Sequence, residues 1–141
     1  MRYQDELDAA ALKRYAAAMN QRAHSHNATG RVSPDMLQTR IFDSAGRCEW
    51  CGVSIVGKDF EIDHIISIVR GGDNTPANLA VACPDCNRRK SGKHPASFAQ
   101  EIIQHSGTLT ALVQRVLKHY DVPAQRQQAL FDTPQIPTDT A

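Results

Sequence analysis

All four cysteines of this chain fall in two pairs of identical spacing, Cys48-Glu49-Trp50-Cys51 and Cys83-Pro84-Asp85-Cys86. Two residues between cysteines allow a tight knuckle in which both thiolates point at one metal. Two such knuckles a few tens of residues apart match the tetrahedral sulfur set of a structural zinc site. Gly52 just after the first pair and Pro84 inside the second suit the turns required. Two disulfides or a redox pair are the alternatives. An intracellular setting disfavours structural disulfides, and a redox motif needs only one pair. The spacing therefore predicts structural Zn²⁺ on Cys48, Cys51, Cys83 and Cys86.

With 141 residues, the chain fits one domain with a modest core. Its 16 Lys and Arg face 15 Asp and Glu, a net charge of +1. That excludes a protein that coats nucleic acid through bulk positive charge, so any such contact must come from locally arranged cations. No run approaches the ~18 uncharged apolar residues of a membrane helix. Asp5 and Glu6 stand where a signal peptide would carry basic and then apolar residues. A soluble, cytoplasmic protein is expected, with no membrane partner.

Helical periodicity predicts an amphipathic helix over 3–22, with Leu7, Ala11, Leu12, Tyr15, Ala18 and Met19 recurring on one face and Asp5, Glu6 and Asp8 in the first turn. Ser33-Pro34 reads as an N-cap and first helical residue, opening a helix that carries Leu37, Ile41, Phe42 and Ala45 and ends at Gly46. Residues 53–56 and 60–66 are rich in Val, Ile and Phe around Gly57-Lys58, which predicts a β-hairpin. A loop at 71–76, a short strand over Leu79–Ala82 and a helix over 85–91 follow. Two further helices are expected at about 95–105 and 108–120, the second capped by Thr108. The domain plan is an N-terminal helical extension (1–30), a core with the knuckles (31–96), C-terminal helices packed on it (97–120) and a disordered Gln-, Pro- and Thr-rich tail (121–141).

Four thiolates satisfy a zinc ion, which leaves Asp63, His64, Asn78 and Asn87 unexplained. Taken singly, each has an ordinary use as a turn, cap or surface residue. Taken together, the run Cys48-x-x-Cys51, Glu61-Ile-Asp63-His64-Ile65, Gly71-Gly72-Asp73, Asn78-Leu79, Cys83-x-x-Cys86-Asn87-Arg88-Arg89-Lys90 resembles the HNH endonucleases. The resemblance covers about residues 41–94, and order, spacing and residue type agree together. It implies an α+β fold: a small zinc-braced ββα-metal core, here with flanking N- and C-terminal helices. The activity it implies is metal-dependent hydrolysis of DNA, leaving 3′-hydroxyl and 5′-phosphate ends.

The family pattern makes His64 the general base, a role that suits an imidazole because its ordinary pKa lies near neutral pH. Asp63, on the other side of the strand or bend, and Asn87, in the first turn of the exit helix, would offer oxygens to one catalytic Mg²⁺ or Mn²⁺. Asn78 would hold the His64 segment in place. Asn87 replaces the pattern's final His, and Ser67 stands where many members have Pro. Arg88, Arg89, Lys90 and Lys93 would meet backbone phosphates, and Trp50 is expected to pack over its knuckle. One such core cuts one strand, so double-strand cleavage would take a homodimer or two successive nicks. The contrasting reading is a zinc-dependent nucleic-acid-binding module without hydrolysis, which has no need of the Asp63, His64 and Asn87 set. In the tail, Gln127-Gln128-Ala129-Leu130-Phe131 resembles the short peptides that dock on the bacterial sliding clamp.

Overall fold

In the computed structural model, which describes residues 1–4 and 7–122, five helices surround a two-stranded sheet. The helices are α1 (Ala9–Ser25), α2 (Pro34–Phe42), α3 (Pro84–Lys90), α4 (Pro95–Ser106) and α5 (Ala111–His119). The strands are β1 (Glu61–His64) and β2 (Leu79–Ala82), and short 3₁₀ turns at Ile68–Arg70 and Pro76–Asn78 shape the connection between them. Among the described residues no helix is long and apolar enough to cross a membrane.

Helix starts follow side-chain caps. Asp8 accepts from the Ala10 N–H, Ser33 from Met36 and Thr110 from Val113. Each side-chain oxygen satisfies an N–H that the first turn leaves unpaired. The helix expected from residue 3 therefore begins after Asp8; Asp5 and Glu6 lie outside the described residues. The last helix starts at Thr110, not Thr108, because Thr110 Oγ1 also donates to Trp50 O at 3.2 Å and ties the cap to the first knuckle.

The expected hairpin does not form. Instead β1 pairs antiparallel with β2, with Glu61 opposite Ala82, Ile62 opposite Val81, Asp63 opposite Ala80 and His64 opposite Leu79. Residues 53–56 are engaged elsewhere: Ser54 bridges Arg47 and Val56 bridges Tyr3, while Arg2 bridges Asp59. β2 is buried along its whole length. Its Val81 N–H and C=O, facing away from β1's register partner, are taken by the Glu49 carboxylate and the Glu49 N–H, both at 2.8 Å. Arg40 clamps that carboxylate at 2.7 Å and donates to Leu79 O at 3.0 Å. The residue between the first two cysteines thus completes the sheet edge, which would otherwise bury unpaired backbone groups.

One hydrophobic cluster runs from Leu12, Ala16 and Met19 of α1 through Leu37 and Ile41, Trp50, Phe60 and β2 to Phe98, Ile102, Ile103, Val113 and Leu117. Trp50 is fully buried with Phe98 edge-on against it, ring centres 5.1 Å apart. It packs the knuckle and is closed to bases. Phe98→Ala should cost about 3–5 kcal/mol of unfolding free energy, measured by urea denaturation, because the cavity opens directly beneath the knuckle.

Candidate active site and metal centre

The four cysteine sulfurs lie within 4.8 Å of one another, and Cys51 Sγ is 4.0 Å from Cys83 Sγ. None is in a disulfide. Zn–S bonds of about 2.3 Å place tetrahedral ligands about 3.8 Å apart, so the cluster is the right size for a metal such as zinc. Its electrostatics point the same way. The Cys83 and Cys86 thiols donate to Cys48 and hold it as a thiolate, with a pKa down at about 4. Hydrogen bonding to Cys48 and Cys83, with burial, pushes the Cys86 thiol strongly up. Four clustered sulfurs, three of them on buried residues, cannot all ionise side by side without a cation to offset the charge. Cys86→Ser should therefore lower the metal content from about one ion per chain, measured by plasma mass spectrometry. The melting temperature should drop by more than about 10 °C, since metal binding and folding are linked.

Beside the sheet opens a cleft of about 590 Å³, lined by Asp63, His64 and Asn87 together with Ser67, Tyr15 and Arg22. The antiparallel ladder places Asp63 and His64 at the end of β1, and α3 brings Asn87 across from them. Three residues, the first and last 24 apart in sequence, thus share one concavity.

Each is held by neighbours. Burial raises the Asp63 carboxyl above the ordinary range, while Lys90, His64 and the Trp50 indole work in the opposite direction. Lys90 Nζ sits 3.0 Å from Asp63 Oδ2 and 3.0 Å from His64 O. Asn87 Nδ2 donates to Glu61 Oε1. A carboxylate can only accept, so this contact turns the amide nitrogen of Asn87 towards β1 and leaves its Oδ1 as the free end. Glu61 and Asp63 are two apart on one strand and so share a face, an alternation already visible in Glu61-Ile62-Asp63. Asp63 and Asn87 thus both bring side-chain oxygens to the lining of the cleft.

Asn78 accepts from the Ile66 N–H at 2.9 Å and donates to Ile66 O and Asp73 O at 3.0 and 2.8 Å. Its own carbonyl accepts from Ile65 N at 2.7 Å. It is thus bonded to the two residues that follow His64. Gly72 is required by this arrangement: a Cβ there would stand 1.8 Å from Ile66 O and 2.9 Å from Asn78 Nδ2. Ser67 has φ −60°, already the proline value. Ser67→Pro should accordingly raise stability by about 0.4–1 kcal/mol through a less flexible unfolded chain, seen as a small upward shift of the thermal transition.

The cationic run is divided by the fold. Lys90 is completely buried against Asp63, which corrects the expectation that it meets a backbone phosphate. The cause is helical phase: Lys90 follows the buried Cys86 by four positions and so lies on its inward face. Arg88 pairs with Asp85 at 2.5 Å, Arg89 with Asp85 and Glu101 at 3.6 and 3.2 Å, and Lys93 with Glu101 at 2.7 Å. Lys93 holds the Glu101 carboxyl below its ordinary range against the opposing effect of burial, with Arg89 adding to the pull. Arg22 of α1, which belongs to no sequence motif, lines the cleft and has no carboxylate within ion-pair distance among the described residues. The Gln127–Phe131 segment lies outside the described residues.

These features define an HNH endonuclease domain: residues 48–93 match the family model of that description. A likeness to the CRISPR-associated endonuclease Cas9 of Actinomyces naeslundii extends past that segment, at 31% identity over 118 residues and 79% of this chain. The chain spans only 11% of that protein's length.

Proposed function

We propose that this protein is a metal-dependent DNA endonuclease with structural Zn²⁺ on its four cysteines and Mg²⁺ or Mn²⁺ at Asp63 and Asn87. The observation that carries the reading is the meeting of Asp63, His64 and Asn87 on one open cleft, a set that a zinc module has no use for. A divalent ion held by the Asp63 and Asn87 oxygens would supply charge compensation for the phosphate and the leaving oxygen. His64 takes the proton from the attacking water as its oxygen bonds to phosphorus and the P–O3′ bond breaks. The products are a 3′-hydroxyl and a 5′-phosphate. Asn78 keeps the His64 segment in register, a role that counts because a misplacement of ~1 Å can cost on the order of 100-fold in rate.

Arg88, Arg89 and Lys93 meet the DNA backbone by exchanging their carboxylate partners for phosphates. Exposed ion pairs are worth only about 0–1 kcal/mol, so the exchange is cheap. Arg22 joins them from α1. With a net charge of +1, overall affinity is low and depends on these local contacts. One core nicks one strand, and double-strand cleavage requires a second copy or a second event. The tail segment Gln127–Phe131 serves as a sliding-clamp anchor.

The Lys90–Asp63 ion pair favours a second reading, a binding module without hydrolysis, because it gives Asp63 a charge partner without any metal. Plasmid nicking in Mg²⁺ or Mn²⁺ separates the two. Wild type should nick, and His64→Ala should lower the rate at least about 100-fold while zinc content and DNA binding stay unchanged. Equal nicking by both would remove His64 from the mechanism. Tight DNA binding without nicking on any substrate would establish the module.

A further inference from the structure

His64 is bonded to a chain of two amides that reaches outside the HNH segment. Its Nε2 lies 3.0 Å from Oδ1 of Asn74, a residue with no exposed surface. Asn74 Nδ2 donates to Asn20 Oδ1 at 2.9 Å, and Asn20 belongs to α1. Asn20 in turn grips one backbone residue at both ends: its Nδ2 donates to Val32 O at 2.9 Å, and its Oδ1 accepts from Val32 N at 2.8 Å. The Asn74 backbone is fixed as well, its N–H bonded to Thr29 O at 2.7 Å. Gly30, at φ +98°, lets the 29–30 turn approach so closely that a Cβ would stand 2.6 Å from Asn74 O.

The direction of every bond follows from Val32. A backbone N–H only donates and a backbone C=O only accepts, so the Asn20 amide has one allowed orientation, oxygen towards Val32 N. The group facing that oxygen from Asn74 must be a donor, hence its NH₂. The other end of Asn74, turned to His64, is then its carbonyl oxygen, and the ring nitrogen opposite must carry a hydrogen. A neutral imidazole has one N–H, so Nδ1 is left as the basic nitrogen.

We infer that Asn20 and Asn74 are positioning residues that hold His64 in the Nε2–H tautomer, with Nδ1 free to accept a proton, and that α1 is thereby part of the apparatus of the HNH core. The catalytic consequence rests on the nuclease reading above, whereas the tautomer does not. A hydrogen bond that fixes which imidazole nitrogen is basic is a recurring requirement for a histidine base, because the wrong tautomer presents a proton where a lone pair is needed.

The first test needs no variant. In zinc-loaded protein with ¹⁵N-labelled histidine, at a pH of about 8 where an ordinary imidazole is neutral, the His64 ring nitrogens report the tautomer directly. The resonances are assigned by their loss in His64→Gln. The expected result is a protonated Nε2 and a pyridine-like Nδ1; the reverse overturns the inference. Asn20→Ala releases the Asn74 amide to rotate, so the ring should become a mixture of tautomers. In nicking assays kcat should fall about 10- to 100-fold with KM within about twofold. Asn20→Asp keeps the acceptor towards Val32 N and Asn74 but opposes its second oxygen to Val32 O, so it should keep the tautomer at a cost in stability. An unchanged tautomer ratio in Asn20→Ala would remove Asn20 from the role. An Nε2–H ring in a wild-type protein that nicks no DNA would refute the nuclease reading and leave the positioning intact.

Discussion

The gathering of four thiols at one point is the constraint on which the rest of the molecule depends. Cys48 and Cys51 flank a loop that follows α2, while Cys83 and Cys86 stand where β2 turns into α3. Bringing their sulfurs within 4.8 Å fixes that loop against the sheet, seats Trp50 on Phe98 and lets Glu49 close the edge of β2. It also sets the start and the rotation of α3, and with them the position of Asn87. Hydrogen bonding among these sulfurs forces the Cys48 thiol down and the Cys86 thiol up. A cation held there would relieve the conflict and let all four act as ligands.

Around that brace the polar groups are arranged so that almost none of the cleft is left to chance. Lys90 neutralises Asp63 and holds the carbonyl of His64. Glu61 orients Asn87, Asn78 anchors the turn after His64, and Tyr15 of α1 accepts the Ile62 N–H of β1 at 3.3 Å. The Tyr15 hydroxyl has its pKa raised by its burial there. A two-stranded sheet is marginal by itself. Here it is stabilised by helices on several sides, and the groups that orient the cleft come from elements both inside and outside the HNH segment.

Much of the site was legible because it is written in short spacings. The two C-x-x-C pairs, Asp63-His64, Asn78 and Asn87 stand out by residue type and order alone. The strand at 79–82 and the helix after Cys83 could be read from local pattern. The pairing of β1 could not. Gly57-Lys58 is an adequate local turn, but the knuckle draws residue 54 to 47 and the N-terminus draws 56 and 59 to residues 3 and 2. Strand pairing is decided by which backbone edges remain free after such contacts, and that is not a local property.

The sequence by itself determined the sulfur set, the presence of an HNH segment and the side-chain types it offers to the cleft, because ligand spacing and side-chain type are properties of the chain. Only the tertiary structure decided which cations are available and which amides face the histidine. Successive residues of an α-helix are turned by about 100°, so a run such as Arg88-Arg89-Lys90 cannot face one way, and packing of Cys86 sends Lys90 inward. Asn20 and Asn74 are 54 residues apart. Their bond exists only because α1 lies across the sheet, and nothing in either residue's neighbourhood announces it.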